Sequence, residues 1–421
     1  MRNRALAWLK ALGPGLITGA ADDDPSGIST YSVAGAVTGY SMLWIALITT
    51  PMMAVIQGMS ARIALVSGEG LASLMRKRLP FWAALGLGLI VVVANTFNIG
   101  ADIAGMAASA HLVLGLPVYV WVVLFGALLV LMQVYCSYTV LARILKWLAV
   151  TLFAYIVTAF IVHPPWATVL LRLVIPQVQF NVQWLSTAVG VMGTTITPYL
   201  FFWQAGLEIE EEKSAGKGTV ASRRGSNPHE IKAMHGDVNA GMIFSNVVAL
   251  FIIITTASTL GAHGNHHIAT AAQAAQALRP LAGPFAYLLF AMGMVGTGML
   301  AVPALAGSSA YVAAELFSFR EGLNEKLRRA PGFYAVLTAG VVAGAIMAVV
   351  SVNPIGALFW SAVLNGVAAV PLIAVIVWIA SDRALMGRWR SSLLARWWGW
   401  ATVALMGLTT LAMFYFMARG S

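Results

Sequence analysis

Residues 22–27 read Asp-Asp-Asp-Pro-Ser-Gly, three carboxylates in a row inside an otherwise apolar stretch. The chain has only 15 Asp and Glu among 421 residues. Eleven of the 15 fall in or beside hydrophilic breaks, and four do not: Asp22, Asp23, Asp24 and Asp102. A carboxylate in apolar surroundings is costly unless it meets a partner or a polar cavity. No Lys or Arg stands at a matching place in the apolar runs, so a cation from outside the protein is the natural partner. A second group of oxygens lies in "GVMGTTITPYLFFWQ" (190–204), where Thr194, Thr195 and Thr197 precede Pro198. Asn365, the lone side-chain amide of its apolar run, fits two readings equally: a further ligand or an interhelical hydrogen bond.

The elements that must hold these residues are transmembrane helices. The sequence is 60% hydrophobic and 10% charged, whereas soluble domains carry about a quarter charged residues. Apolar runs predict eleven spans near 13–38, 41–64, 81–113, 117–139, 141–162, 183–207, 237–262, 282–316, 332–350, 356–380 and 396–417. With a cytoplasmic N-terminus, all of the 25 Lys and Arg except Arg172, Arg279 and Arg419 fall on the inside, as the positive-inside rule requires. The net charge of +10 therefore reads as orientation and not as a nucleic-acid surface. The single cysteine, Cys136, excludes a disulfide framework, and the N-terminus does not read as a secretory signal. No P-loop, dinucleotide fingerprint or zinc-ligand spacing is present. The expectation is a non-enzyme without a cofactor, partnered by the lipid bilayer, with no nucleic acid and no obligate protein partner.

Two spans are interrupted. Pro25 removes a backbone donor and biases Asp24 away from helix, which predicts a break around 22–27. Gly190, Gly193 and Pro198 predict another in the sixth span. Irregular backbone at membrane depth is tolerated only where it is buried in protein or lines a cavity. Spans one and six open two sets of five helices, and an odd number gives the second set inverted topology. Matching interruptions in inverted repeats point to a substrate site at the bilayer midplane. The whole chain, 1–421, is read as one transmembrane domain, with repeats over 13–162 and 183–380 and an extra helix at 396–417. Residues 208–236 read as a flexible cytoplasmic loop, its EIEEE run (208–212) as a solvated helix end. "AHGNHH", with His263, His266 and His267, reads as a wet outer loop. Gly15/Gly19, Gly35/Gly39 and Gly340/Gly344 have the spacing of close helix packing.

"GPGLITGAADDDPSGISTYSVAGAVTGY" (13–40) resembles the first helix of Nramp-type divalent metal transporters. Their pattern is GPG, a short apolar run, Asp-Pro-Gly-Asn and a Gly-Ala…Gly-Tyr ending; GLP (115–117) fits too. The resemblance extends over nearly the whole chain in span layout, and its specific motifs lie in spans one and six. It implies an all-α polytopic protein with a LeuT-like 5+5 inverted repeat and broken helices 1 and 6. It assigns the binding aspartate to Asp24 and a carbonyl ligand to Thr194. The family's Asn is lost, since Gly-Asn becomes Ser26-Gly27. Its Met ligand becomes Thr197, and its two sixth-helix histidines become Tyr199 and Gln204. Its third-helix glutamate, linked to proton movement, is shortened to Asp102.

These departures have a chemical direction. Thioether sulfur favours softer transition metals. Hydroxyl and carbonyl oxygens beside the extra carboxylates make a harder site, and Mg²⁺ takes oxygen ligands while keeping several waters. Met192, five residues before Thr197, faces away from it on a helix. The pattern is similar to the Nramp-related magnesium transporters. The expected metal site is Asp24, Thr194, Thr197, Asp23, Gly27 and Asn365, with Asp102, Tyr199 and Gln204 as a proton or water pathway. The expected function is uptake of a divalent cation, Mg²⁺ and next Mn²⁺, with weak or no proton coupling. The location that follows is a cell membrane, a bacterial inner membrane, crossed many times from a cytoplasmic N-terminus. The alternatives are a proton-coupled Mn²⁺/Fe²⁺ symporter and an organic-solute transporter of the same fold. An intramembrane aspartyl enzyme would need a partner carboxylate in register with the first-helix aspartates, and Asp102 is its sole candidate.

Overall fold

The computed structural model describes residues 13–135, 150–264, 268–350 and 353–420. Cys136, His266 and His267, residues 141–149 of span 141–162 and the basic residues Arg2, Arg4, Lys10, Arg143 and Lys146 lie outside the described residues. Every described element is helical. The first span is split into α1 (Pro14–Asp22) and α2 (Pro25–Thr38). There follow α3 (Leu43–Ser67), α4 (Leu71–Arg78), α5 (Phe81–Leu114) and α6 (Val118–Tyr135). Next come α7 (Phe153–Ile161) and α8 (Trp166–Val174), then the split sixth span, α9 (Val182–Thr195) and α10 (Pro198–Ser214). The remainder is α11 (Pro228–Thr259), α12 (Ala286–Phe317), α13 (Pro331–Val350), α14 (Pro354–Ser381) and α15 (Leu393–Arg419).

Among the described residues, nine helical stretches are long and apolar enough to cross a membrane. The halves of the first span, 9 and 14 residues, are each too short to be counted alone. Helix α7 is the described end of the fifth span. With these two, the nine become the eleven spans expected.

Both breaks have the same construction. Asp23 and Asp24 leave helical geometry between α1 and α2, and Pro25 starts α2. Ile196 and Thr197 do so between α9 and α10, and Pro198 starts α10. Proline suits the first helical position because its missing N–H has no intrahelical partner there. The first break is thus confined to two residues within the 22–27 window.

Packing brings the breaks together. Helix α11 lies along α1, α2 and α3, while α10 packs on α3, and α9 on α14. Helix α5 lies against α12, α13 and α14. Small residues permit the close approaches: a Cβ on Gly19 would sit 2.4 Å from the Gly241 carbonyl oxygen, and one on Gly344 2.9 Å from the Gly100 nitrogen. Gly39 has another use. It ends α2 with a φ of 60° and has open space around it, a helix-terminating role that its packing-type spacing concealed.

The segment read as a flexible loop is mostly helix. Helix α10 runs through Ser214 and α11 begins at Pro228, so only 215–227 connects them. Asn227 and Glu230 form a reciprocal capping box at the start of α11, with bonds of 2.9 and 3.1 Å. The connection is itself pinned: buried Arg223 donates to the carbonyls of Gly68, Lys217 and Gly218 at 3.1 Å each. The EIEEE run is only partly solvated, because Glu208 and Glu210 are buried and Glu211 is exposed. His235, expected in this loop, belongs to α11. The physical reason is common to all three: a helix that leaves the apolar zone continues while its backbone bonds and caps are satisfied.

Candidate metal centre

Asp24 caps the N-terminus of α2. Its Oδ1 accepts from the Gly27 amide at 2.6 Å and from Ser26 Oγ at 2.8 Å. Its Oδ2 accepts from Asn98 Nδ2, on α5, at 2.9 Å. Only 2% of Asp24 is exposed, 1% of Asp22 and Asp23, and none of Asp102. None of the four takes part in an ion pair among the described residues.

Gly27 is where the two interrupted spans face each other. A Cβ there would lie 3.2 Å from Thr194 Oγ1, 3.4 Å from Asp24 Oδ1 and 3.5 Å from the Asp22 carbonyl oxygen. A larger residue would fill this space, so glycine keeps carboxylate, hydroxyl and carbonyl around one small volume. Thr197 starts α10 without a side-chain cap, and its buried Oγ1 has no hydrogen-bond partner. The oxygens therefore come from a carboxylate, hydroxyls and the carbonyl ends of half-helices, whose final C=O groups lack intrahelical donors. Among the described residues, no group of three His, Cys, Asp or Glu side chains comes together as a metal cluster. What the geometry offers is a hard-oxygen site built around one carboxylate.

The other expected residues have distinct surroundings. Asp23 and Asp22 face α11, where Ser245 Oγ contacts Asp22 Oδ2 and lies 3.1 Å from Asp23 Oδ1. Asn365 Nδ2 donates to Asn98 Oδ1 at 3.2 Å, the interhelical bond of its two readings. Asp102 Oδ2 accepts from Asn98 Nδ2 at 3.3 Å. Tyr199 spends its hydroxyl proton on the Ala21 carbonyl at 2.7 Å, which ties the start of α10 to the end of α1. Gln204 donates to Glu208 at 2.9 Å, one turn along the same helix. The structure thus joins Asp24, Asp102 and Asn365 through one side chain, while Tyr199 and Gln204 bond elsewhere.

That side chain, Asn98, was not singled out in the sequence, and neither was Ser245. The i,i+4 pairing of Asn98 with Asp102 on an apolar helix was the available signal. Tyr31, whose hydroxyl meets Thr195 Oγ1 at 2.9 Å, had no such sign.

The family model described as Natural resistance-associated macrophage protein-like matches residues 15–416. The chain belongs to the Nramp family. It is 29% identical over 385 residues to the divalent metal cation transporter MntH of Acidiphilium cryptum, covering 89% of this chain and 83% of that one. It is 27% identical to the protein of the same name from Aeromonas hydrophila, covering 94% and 93%. Among solved structures, it resembles the Eremococcus coleocola manganese transporter in complex with an aromatic bis-isothiourea compound. The TM-score there is 0.70 at 21% identity, over 96% of this chain and 86% of that one. A closed nucleobase-cation-symport-1 family transporter with bound bromovinylhydantoin gives a TM-score of 0.57 at 16% identity, over 96% and 91%. These likenesses bear on the fold and agree with the LeuT-like arrangement and the two broken helices of this Nramp chain.

Proposed function

We propose that the protein carries a divalent metal cation across a membrane by secondary transport, with Mg²⁺ first and Mn²⁺ next. The observation that carries this reading is Asp24, a buried carboxylate without an ion pair among the described residues, at the break of the first span where Gly27 lets Thr194 of the second broken span come close. The names borne by the MntH relatives support a divalent metal as substrate. Thr197, standing where the family resemblance expects a thioether, supports the harder ion. Asp23, Thr194, Thr197 and Asn365 would complete the coordination together with retained waters. The transporter would work in a bacterial inner membrane, with its N-terminus in the cytoplasm.

One observation favours a second reading, a proton-coupled Mn²⁺/Fe²⁺ symporter. Asp102 lies one amide away from Asp24, through Asn98, so a proton-carrying group stands next to the ion. The test of both readings is uptake into proteoliposomes, compared for Mg²⁺, Mn²⁺ and Ca²⁺. Uptake of Mg²⁺ with competition by Mn²⁺ supports the first. Uptake of Mn²⁺ alone that requires an inward proton gradient supports the second.

A further inference from the structure

Asn98 lies on α5, wholly buried, at the point where α2 and α14 both reach that helix. Its Nδ2 donates to Asp24 Oδ2 at 2.9 Å and to Asp102 Oδ2 at 3.3 Å. Its Oδ1 accepts from Asn365 Nδ2 at 3.2 Å. In this arrangement the amide turns its positive N–H edge toward the two carboxylates. A cation entering between them would meet that edge, which is repulsive, whereas the carbonyl edge of the same amide is a good ligand for a hard cation.

Two further observations show how the edge can change. Asp24 Oδ1 is pinned by Ser26 and Gly27, so Oδ2, which Asn98 holds, is the oxygen that an ion must take over. Asn365 Oδ1 is buried without a hydrogen-bond partner, an uncommon state for a buried amide. If both amides turn by half a rotation about Cβ–Cγ, Asn98 Nδ2 donates to Asn365 Oδ1 and the orphan is satisfied. The same rotation brings Asn98 Oδ1 to the space between Asp24 and Asp102.

We infer that Asn98 is a ligand of the transported ion, supplying from α5 the amide oxygen that the first broken helix lacks at Gly27. Asn365 is the partner that lets the amide change edges. In the empty site Asn98 holds Asp24 as a donor; in the loaded site it faces the ion as an acceptor. The inference rests on the proposed transport of a divalent cation at Asp24.

The test uses the full-length protein in proteoliposomes, with uptake of Mg²⁺ and of Mn²⁺ measured over a range of concentrations. Asn98→Ala should raise KM for both ions by about 10- to 100-fold, the range seen when groups that support a metal site are lost, with maximal rate close to wild type. Asn98→Asp keeps an oxygen but cannot donate, so it should bring KM back to the wild-type value or below. A purely structural bridge predicts the reverse, because Asn98→Asp would set a third carboxylate against two others with no donor between them. If Asn98→Ala does not fold, Asn98→Ser provides the same comparison, and titration of Mn²⁺ onto the purified protein reads binding directly. Wild-type uptake with KM unchanged in the Ala or Ser variant, or Asn98→Asp no better than either, overturns the assignment alone. Wild-type protein that takes up neither ion overturns the transport reading, and this ligand with it.

Discussion

Asp24 has unequal oxygens. One is fixed by the backbone amide of Gly27 and the Ser26 hydroxyl, and the other is held by a single amide from a different helix. A carboxylate prepared in this way needs no reorganisation of its own helix when an ion takes over the oxygen that the Asn98 N–H holds. Asp24→Asn keeps the shape and removes the charge that offsets dehydration of a divalent ion. Uptake should fall by about 100-fold or more, the upper end of what supporting groups alone cost, with the thermal unfolding of the metal-free protein little changed. Near-normal uptake by a folded Asp24→Asn protein would exclude Asp24 as the ligand. Thr197 gives the complementary case, since its buried hydroxyl has no partner. Thr197→Met exchanges oxygen for sulfur and fills the space of a water, so Cd²⁺ binding should strengthen and Mg²⁺ binding weaken. An unchanged ion order in equilibrium binding would mean that Thr197 does not face the ion. The breaks beside Asp24 and Thr194 were legible in the sequence because proline and glycine mark them. Asn98 and Ser245 were harder to read: the Asn98–Asp102 spacing marks a polar pair on one helix, but neither residue discloses a partner 74 or 223 residues away.

At the scale of elements, two half-helix pairs place their loosened residues at one level, and α11 holds the first pair through glycine-mediated backbone contact. Hydropathy located the spans well because it follows the apolar zone, and the Pro25 and Pro198 interruptions were plain in composition. It failed over 208–236 because hydropathy records where apolar side chains end, not where helices end. The Asn-Pro-x-Glu start of α11 was a readable cap signal within that stretch. The connection from α12 to α13 (318–330) yields an element-scale prediction. Burial, opposed by the nearby Lys213 charge, pushes the Glu321 carboxyl up from 4.5 to about 7. Between those values the folded chain binds more protons than the unfolded chain, so stability falls as pH rises from 4.5 through 7. Glu321→Gln has no such titration. Its Tm should match wild type near pH 4.5 and exceed it by pH 7.5. Parallel Tm curves for the two proteins across that range would remove Glu321 from the account of pH-dependent stability.

The molecule as a whole sets the driving force. Its described ion pairs join residues of the segments read as cytoplasmic, and the buried Asp22, Asp23, Asp24 and Asp102 take part in none of them. An inside-negative potential favours entry of a cation by about 2.3 kcal/mol per charge for each 100 mV, so a divalent ion can enter without a second driving ion. Histidine is the side chain whose unperturbed titration lies near neutrality, and none stands at the sixth-helix break. Tyr199 donates its hydroxyl proton to the Ala21 carbonyl and Gln204 bonds Glu208. Asp102 Oδ2 is held by the Asn98 amide, which bonds Asp24 and Asn365 as well. Mg²⁺ uptake is therefore expected to proceed down its own electrochemical gradient, with little or no proton movement. The measurement is a pH-sensitive dye trapped in proteoliposomes while Mg²⁺ enters under an imposed inside-negative potential. Uptake with a flat dye signal, the same in wild type and in an Asp102→Asn protein, is the expected result. Acidification that tracks the metal and disappears in Asp102→Asn would establish proton symport, and would make Asp102 its carrier.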